Sequence, residues 1–112
     1  MDSFDGLVHG RAIPRPIVAL DVDGGLLGGL AFTQYKDPSS EDLALWINAV
    51  FVVVSRRRHG IATRLIQTAV TVSKEIGFES LHVYTDVPSL YERLGWRVVS
   101  ASGQHRVLLS TL

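Results

Sequence analysis

The sequence predicts an α/β fold built on a mixed, mostly antiparallel sheet flanked by helices. Three observations carry this. Residues 43–54 form a long apolar run rich in Val, Ile, Phe and Trp. Directly after Gly60 the apolar period changes to three and four residues. On either side lie shorter β-favouring stretches punctuated by glycine and proline.

Taken in order, residues 1–15 are weakly patterned, and Pro14 and Pro16 argue against a helix there. Ile17–Leu20 and Leu26–Tyr35 favour strands, with Asp23-Gly24 between them as a two-residue hairpin turn signal. Lys36–Asp42 is polar and contains Pro38, so it reads as a loop. The Leu43–Val54 run lacks clean alternation, which predicts a central strand covered on both faces. Ile61, Leu65, Ile66, Ala69, Val72 and Ile76 then define one face of an amphipathic helix that Gly77 ends. Leu81, Val83 and Thr85 alternate with His82 and Tyr84, giving a strand. Pro88 suits a helix first turn, with Leu90, Tyr91 and Leu94 marking a short helix closed by Gly95. Trp96–Val99 and His105–Leu109 around Ser102-Gly103 complete a final hairpin. The expected order is β-β-β-α-β-α-β-β in a single domain spanning residues 1–112.

Composition narrows the function classes. The 112 residues are 46% hydrophobic and 20% charged, ordinary for a globular protein. With no cysteine, a disulfide framework, a thiolate zinc site and a cysteine nucleophile are excluded. His9 and His105 lack partners at metal-ligand spacing, so no metal is expected. Eleven basic residues balance eleven acidic ones, and no global field draws the chain to nucleic acid or anionic lipid. The apolar run is too short to span a bilayer, and the N-terminus lacks a signal-peptide core, so a cytoplasmic protein is expected.

The chemistry concentrates at Val52–Thr63, where an apolar strand enters the tight basic turn Arg56-Arg57-Arg58-His59-Gly60 and a helix begins. The first helical N–H groups have no partner within the helix and, with the helix dipole, favour an anion such as a pyrophosphate. Gly60 permits close backbone approach, Ala62 leaves room, and Arg57 and Arg58 add charge-assisted contacts.

Arg57-Arg58-His59-Gly60-Ile61-Ala62 resembles motif A of the GNAT family of N-acetyltransferases, Gln/Arg-x-x-Gly-x-Gly/Ala, in the expected strand–turn–helix setting. Leu81 through Val99 resembles the family's motif B, ending Tyr-x-x-x-Gly-Phe/Trp as Tyr91-Glu92-Arg93-Leu94-Gly95-Trp96. The likeness covers roughly Leu26 to Val99. Locally, Arg-Arg-x-Gly-Ile-Ala-Thr-x-Leu-Ile is also similar to aminoglycoside 3-N-acetyltransferases.

The resemblance implies a GNAT-like fold with a shortened N-terminal part, since only about fifteen residues precede Ile17 where the family usually places a strand and two helices. It implies acetyl-CoA as co-substrate, attacked directly by an amine on a small molecule, peptide or protein. Arg57, Arg58, His59, Gly60, Ile61, Ala62 and Thr63 would hold the coenzyme's pyrophosphate. Main chain around Phe51, Val52 and Val54 would pair with its pantetheine arm. Tyr91 would lie near the thiolate. Many family members carry a carboxylate on the central strand, near the positions of Trp46, Asn48 and Ala49 here, and none of these three can take a proton. The base is left among Glu41 or Asp42, acting through water, and His82. Asn48 is a candidate acceptor contact; Trp46 is either plain core or part of the acceptor pocket. Uncovered sheet surface favours a homodimer. A catalytically inactive acyl-CoA-binding module is the competing function, and a nucleic-acid-binding protein a weaker third.

Overall fold

The computed structural model describes residues 7–56 and 60–112. A two-stranded ribbon, β1 (Leu7–Val8) and β2 (Arg11–Ala12), precedes a six-stranded sheet. The sheet comprises β3 (Ile17–Leu20), β4 (Leu26–Lys36), β5 (Leu43–Val52), β6 (Ser80–Thr85), β7 (Arg97–Ser102) and β8 (His105–Thr111) in the order β3-β4-β5-β6-β8-β7. Helix α1 (Ile61–Ile76) connects β5 to β6, and α2 (Pro88–Glu92) connects β6 to β7. All neighbours are antiparallel except β5 and β6, which the α1 crossover makes parallel. The fold is therefore the mixed α/β sheet that the sequence predicts.

The core lies between the sheet and the helices. Leu30, Leu45, Ile47, Leu81, Val83 and Leu108 project from the sheet onto Leu65, Ile66 and Ala69 of α1 and onto Tyr91 and Trp96. Strand alternation sends Trp46 and His82, a paired couple, to the opposite face. That outer face exposes Val18, Leu20 and Phe51, which are 59, 55 and 50% accessible.

Four details differ from expectation. The ribbon β1–β2 sits in the segment read as weakly patterned; its turn, His9-Gly10, has both residues at positive φ, a conformation His tolerates better than most side chains. Asp23-Gly24 does not form a two-residue turn. Residues 21–25 make a longer loop because the Asp21 carboxylate accepts the Asp23 and Gly25 N–H groups at 2.9 and 2.7 Å. The central strand stops at Val52, and Val54–Arg56 form a 3-10 turn. Finally, double-faced burial holds only for Ala44–Ile47; Asn48, Ala49 and Phe51 are exposed.

Candidate active site

A cleft opens where β5 and β6 part. They pair only through Trp46↔His82 and Ile47↔Val83. Beyond that point β5 follows β4 to Val52 and β6 follows β8 to Thr85, so the backbone of residues 48–52 on the side away from β4 has no strand partner. Register also shifts here: Ala31 faces Ala49 while Phe32 faces Ile47, leaving Asn48 as an extra residue in a β-bulge. The resulting cleft holds about 910 Å³. Its walls are residues 48–52 and Tyr84–Val87, joined by Gly60–Thr63 of the α1 start and by Leu90, Tyr91 and Arg93 on or beside α2.

The α1 N-terminus is open to this space. No side chain caps it and no acidic residue occupies its first turn. Arg64 N–H donates to Gly60 O at 3.1 Å, so the N–H groups of Ile61, Ala62 and Thr63 precede the first intrahelical bond. Gly60 has φ 73°, and a Cβ there would meet nothing within 4 Å. The left-handed backbone selects glycine at this position, with crowding playing no part. An uncapped helix start receives an anion, and the adjacent unpaired strand edge can hydrogen-bond an amide-bearing arm. The described residues thus fit a phosphorylated carrier with amide groups, the chemistry of coenzyme A. Phe51, Val52, Gly60, Ile61, Ala62 and Thr63 all line the cleft. Val54 does not; it is 76% exposed in the 3-10 turn. Arg57, Arg58 and His59 lie outside the described residues.

Tyr91 reaches the cleft because α2 ends in a tight reversal. Gly95 takes φ 93°, allowing Trp96 N–H to donate to Tyr91 O at 3.2 Å. The Trp96 ring then meets the Tyr91 ring edge-on at 5.1 Å. The Tyr-x-x-x-Gly-Trp spacing therefore has a mechanical meaning: it clamps the tyrosine against the cleft wall. Tyr91 is 3% exposed, and burial pushes its hydroxyl up to about 12. No described residue hydrogen-bonds that hydroxyl.

The other sequence candidates are spread out. Asn48 is at the bulge, in the cleft wall. His82 and Trp46 lie on the closed side of the parting point, on the outer face, stacked at 5.0 Å. His82 is 4% exposed, and desolvation lowers its pKa, against a raising effect from the Leu45 carbonyl 3.4 Å from Nδ1 and from Asp37. It is a neutral imidazole at physiological pH. Trp46 also meets Tyr35 edge-on at 5.9 Å, and its buried Nε1 has no hydrogen-bond partner among the described residues. Glu41 is not brought to the cleft. It pairs with Lys36 at 3.4 Å, its side chain 91% exposed. It lies in the loop before β5, and the Leu43–Ile47 stretch of strand, about 13 Å long, separates that loop from the bulge. No described cluster of His, Asp or Glu is able to hold a metal ion.

Sequence reasoning did not assign Tyr84, Thr85, Asp86, Val87 or Arg93 to the site. The signal that finds them is topological: ligands sit beyond the carboxyl ends of parallel strands, and β5 and β6 are the parallel pair.

This architecture is a mixed sheet whose one parallel pair splays over an uncapped helix start, and comparison specifies the family. Residues 4–96 match the profile of the acetyltransferase (GNAT) family, and the chain belongs to it. Among solved structures, an acetyltransferase from Bacillus cereus aligns with TM-score 0.71 at 17% identity, over 87% of this chain and 71% of that one. Escherichia coli YhbS, a GNAT family N-acetyltransferase in complex with CoA, aligns with TM-score 0.71 at 22% identity, over 86% of this chain and 57% of that one. Drosophila melanogaster polyamine N-acetyltransferase aligns with TM-score 0.72 at 12% identity, over 87% and 74%. At these identities the likeness is one of fold. No curated protein sequence matches the chain. Among the described residues, no helix is long and apolar enough to cross a membrane.

Proposed function

We propose that this chain is an N-acetyltransferase that moves the acetyl group of acetyl-CoA, the family's co-substrate, to a primary amine by direct attack on the thioester. The observation that carries the reading is Tyr91, placed by its glycine reversal on the wall of the same cleft that receives the α1 N-terminus and the unpaired edge of β5.

In this reading the diphosphate rests on the N–H groups of residues 61–63, and Arg57, Arg58 and His59, outside the described residues, supply further contacts to it. The arm lies along Phe51 and Val52. Unpaired β5 N–H groups facing the gap stabilise the oxyanion. The neutral amine forms the new C–N bond, the C–S bond breaks, and the sulfur leaves as thiolate. Burial pushes the Tyr91 hydroxyl up to about 12, well above a thiol at ~8.5, so full proton transfer from the tyrosine to the thiolate would be uphill. Tyr91 thus acts as a hydrogen-bond donor to the thiolate, and the proton reaches sulfur from water. Holding the amine beside the thioester supplies most of the acceleration. No described carboxylate lies on the open half of β5, which leaves amine deprotonation to solvent or to a water-bridged group.

The domain is read as one unit over residues 1–112, with a cytoplasmic setting. The acceptor in this reading is an amine on a small molecule, peptide or protein, and the likeness to aminoglycoside 3-N-acetyltransferases stays local to residues 57–66. The exposed outer-face residues Val18, Leu20 and Phe51 support a homodimer.

The test is coenzyme binding by calorimetry alongside thiol release from acetyl-CoA over an amine panel. Wild type binds coenzyme and releases thiol with at least one amine. Tyr91→Phe lowers turnover about ten- to a hundredfold, the size of one charge-assisted hydrogen bond, while coenzyme affinity holds. Binding without turnover for any amine identifies a non-catalytic acyl-CoA module; no binding ends both readings.

A further inference from the structure

Six of the described glycines take a left-handed φ, which accounts for them; Gly28 and Gly29, side by side within β4, are not among these. A glycine inside a strand weakens it, and where its dihedrals do not require glycine it marks a close approach of other backbone. The two positions face opposite ways. Gly28 shares the inner face with buried Leu30. A Cβ on Gly28 would meet the Phe51 carbonyl oxygen at 2.5 Å, Val52 Cα at 3.3 Å and Ile61 Cγ2 at 3.4 Å. Gly29 faces outward, where a Cβ would meet the Phe51 ring, with Cε1 at 2.7 Å, and the Ile17 carbonyl oxygen at 3.4 Å. A ring can swing aside. The Phe51 carbonyl and Val52 Cα are main chain and move only with the strand.

The groups crowded around Gly28 are those of the cleft. Phe51 and Val52 belong to the unpaired edge of β5, and Ile61 opens α1. β4 is held from both sides at this point, Gly28 pairing with Ala19 of β3 and with Val52 of β5. The distal half of β5 is held from one side only. A methyl group at position 28 therefore displaces β5, and the open direction is the gap toward β6. The same methyl abuts the first residue of α1. We propose that Gly28 is a positioning residue for the coenzyme: its missing side chain lets β5 lean onto β4, which keeps the gap open for the pantetheine arm and seats the α1 start beside it. This rests on the N-acetyltransferase reading above. No chemistry passes through Gly28, which acts through Phe51, Val52 and Ile61.

The test compares Gly28→Ala with Gly29→Ala, one added methyl at each of two neighbouring positions. CoA affinity is measured by calorimetry, and kcat and KM for acetyl-CoA by thiol release. Gly28→Ala weakens CoA binding about tenfold or more, within the range that a misplacement near ~1 Å produces. KM for acetyl-CoA rises with it, while kcat at saturating coenzyme falls by less. Gly29→Ala changes coenzyme affinity much less, because the Phe51 ring yields and the strand does not move. Equal losses in the two variants, or none in Gly28→Ala, overturn the positioning role while the acetyltransferase reading stands. Failure of Gly28→Ala to fold also overturns it, since the distal strand would then not yield into the gap. A wild-type chain that binds no CoA ends the acetyltransferase reading, and the positioning role with it.

Discussion

The two halves of β5 share a strand and little else. Leu43 to Ile47 pair with β4, Trp46 and Ile47 pair with β6 as well, and Ala44–Ile47 are buried on both faces. From Asn48 to Val52 one edge is unpaired, and three of the five residues are exposed. The first half is held by what the fold buries, and the second is shaped by what a ligand needs. A single element thus anchors the core at one end and offers unpaired backbone groups at the other, so the site inherits the rigidity of the core without being filled by it.

That contrast can be broken most forcefully at Leu45, which is 1% exposed against α1. Leu45→Ala should cost about 2–5 kcal/mol in urea denaturation. Asn48→Ala, at the bulge, should cost less than about 0.5 kcal/mol. Equal losses would erase the distinction between the halves.

A smaller effect comes from His82, at the boundary. Its folded pKa is lowered from 6.5 by burial, so the folded state resists protonation while the unfolded chain accepts it. Its contribution is complete above pH 6.5 and is lost progressively as pH falls below that value. Unfolding free energy measured across this window should therefore decline on acidification, and His82→Phe should flatten the decline. An unaltered slope in the variant would assign the acid sensitivity to other groups.

The smallest effect belongs to Glu41. Its exposed ion pair with Lys36 contributes between 0 and about 1 kcal/mol, so Glu41→Gln should barely move the melting curve. With the Leu43–Ile47 stretch of strand between its loop and the cleft, which Glu41 does not line, turnover should stay within about twofold. A fall beyond tenfold would restore Glu41 as a base.

Much of this was legible in the sequence because local rules dominated. The 3.6-residue period of residues 61–76 fixes α1, and Gly60 and Gly95 mark the two backbone reversals that build the site. The Tyr91–Trp96 clamp is likewise a spacing that can be read directly. What escaped depends on pairing between distant segments. Glu41 looks adjacent to the active strand in sequence, yet strand length carries it away. Tyr84 and Asp86 look like ordinary strand and loop residues until β6 is placed parallel to β5. The weak alternation of residues 43–54 was read as burial on both faces, which accounts for Ala44–Ile47 alone. Beyond Ile47 the cause is the bulge.

Asn48 acts as a phase shifter. Ahead of it the odd-numbered residues Leu45 and Ile47 point to the core; after it Val50 pairs with the core residue Leu30, while Phe51 sits over Gly29 on the outer face. Parity, and not distance along the chain, thus decides which side chains the cleft meets. Because Asn48 is the residue with no partner on β4, removing it would set Ala49↔Ala31 directly after Ile47↔Phe32 and leave the inward and outward sets unchanged, whereas removing two residues would exchange them. An evolving sequence can therefore gain or lose this one residue without turning the distal side chains over, and the bulge works as slack in the length of the strand.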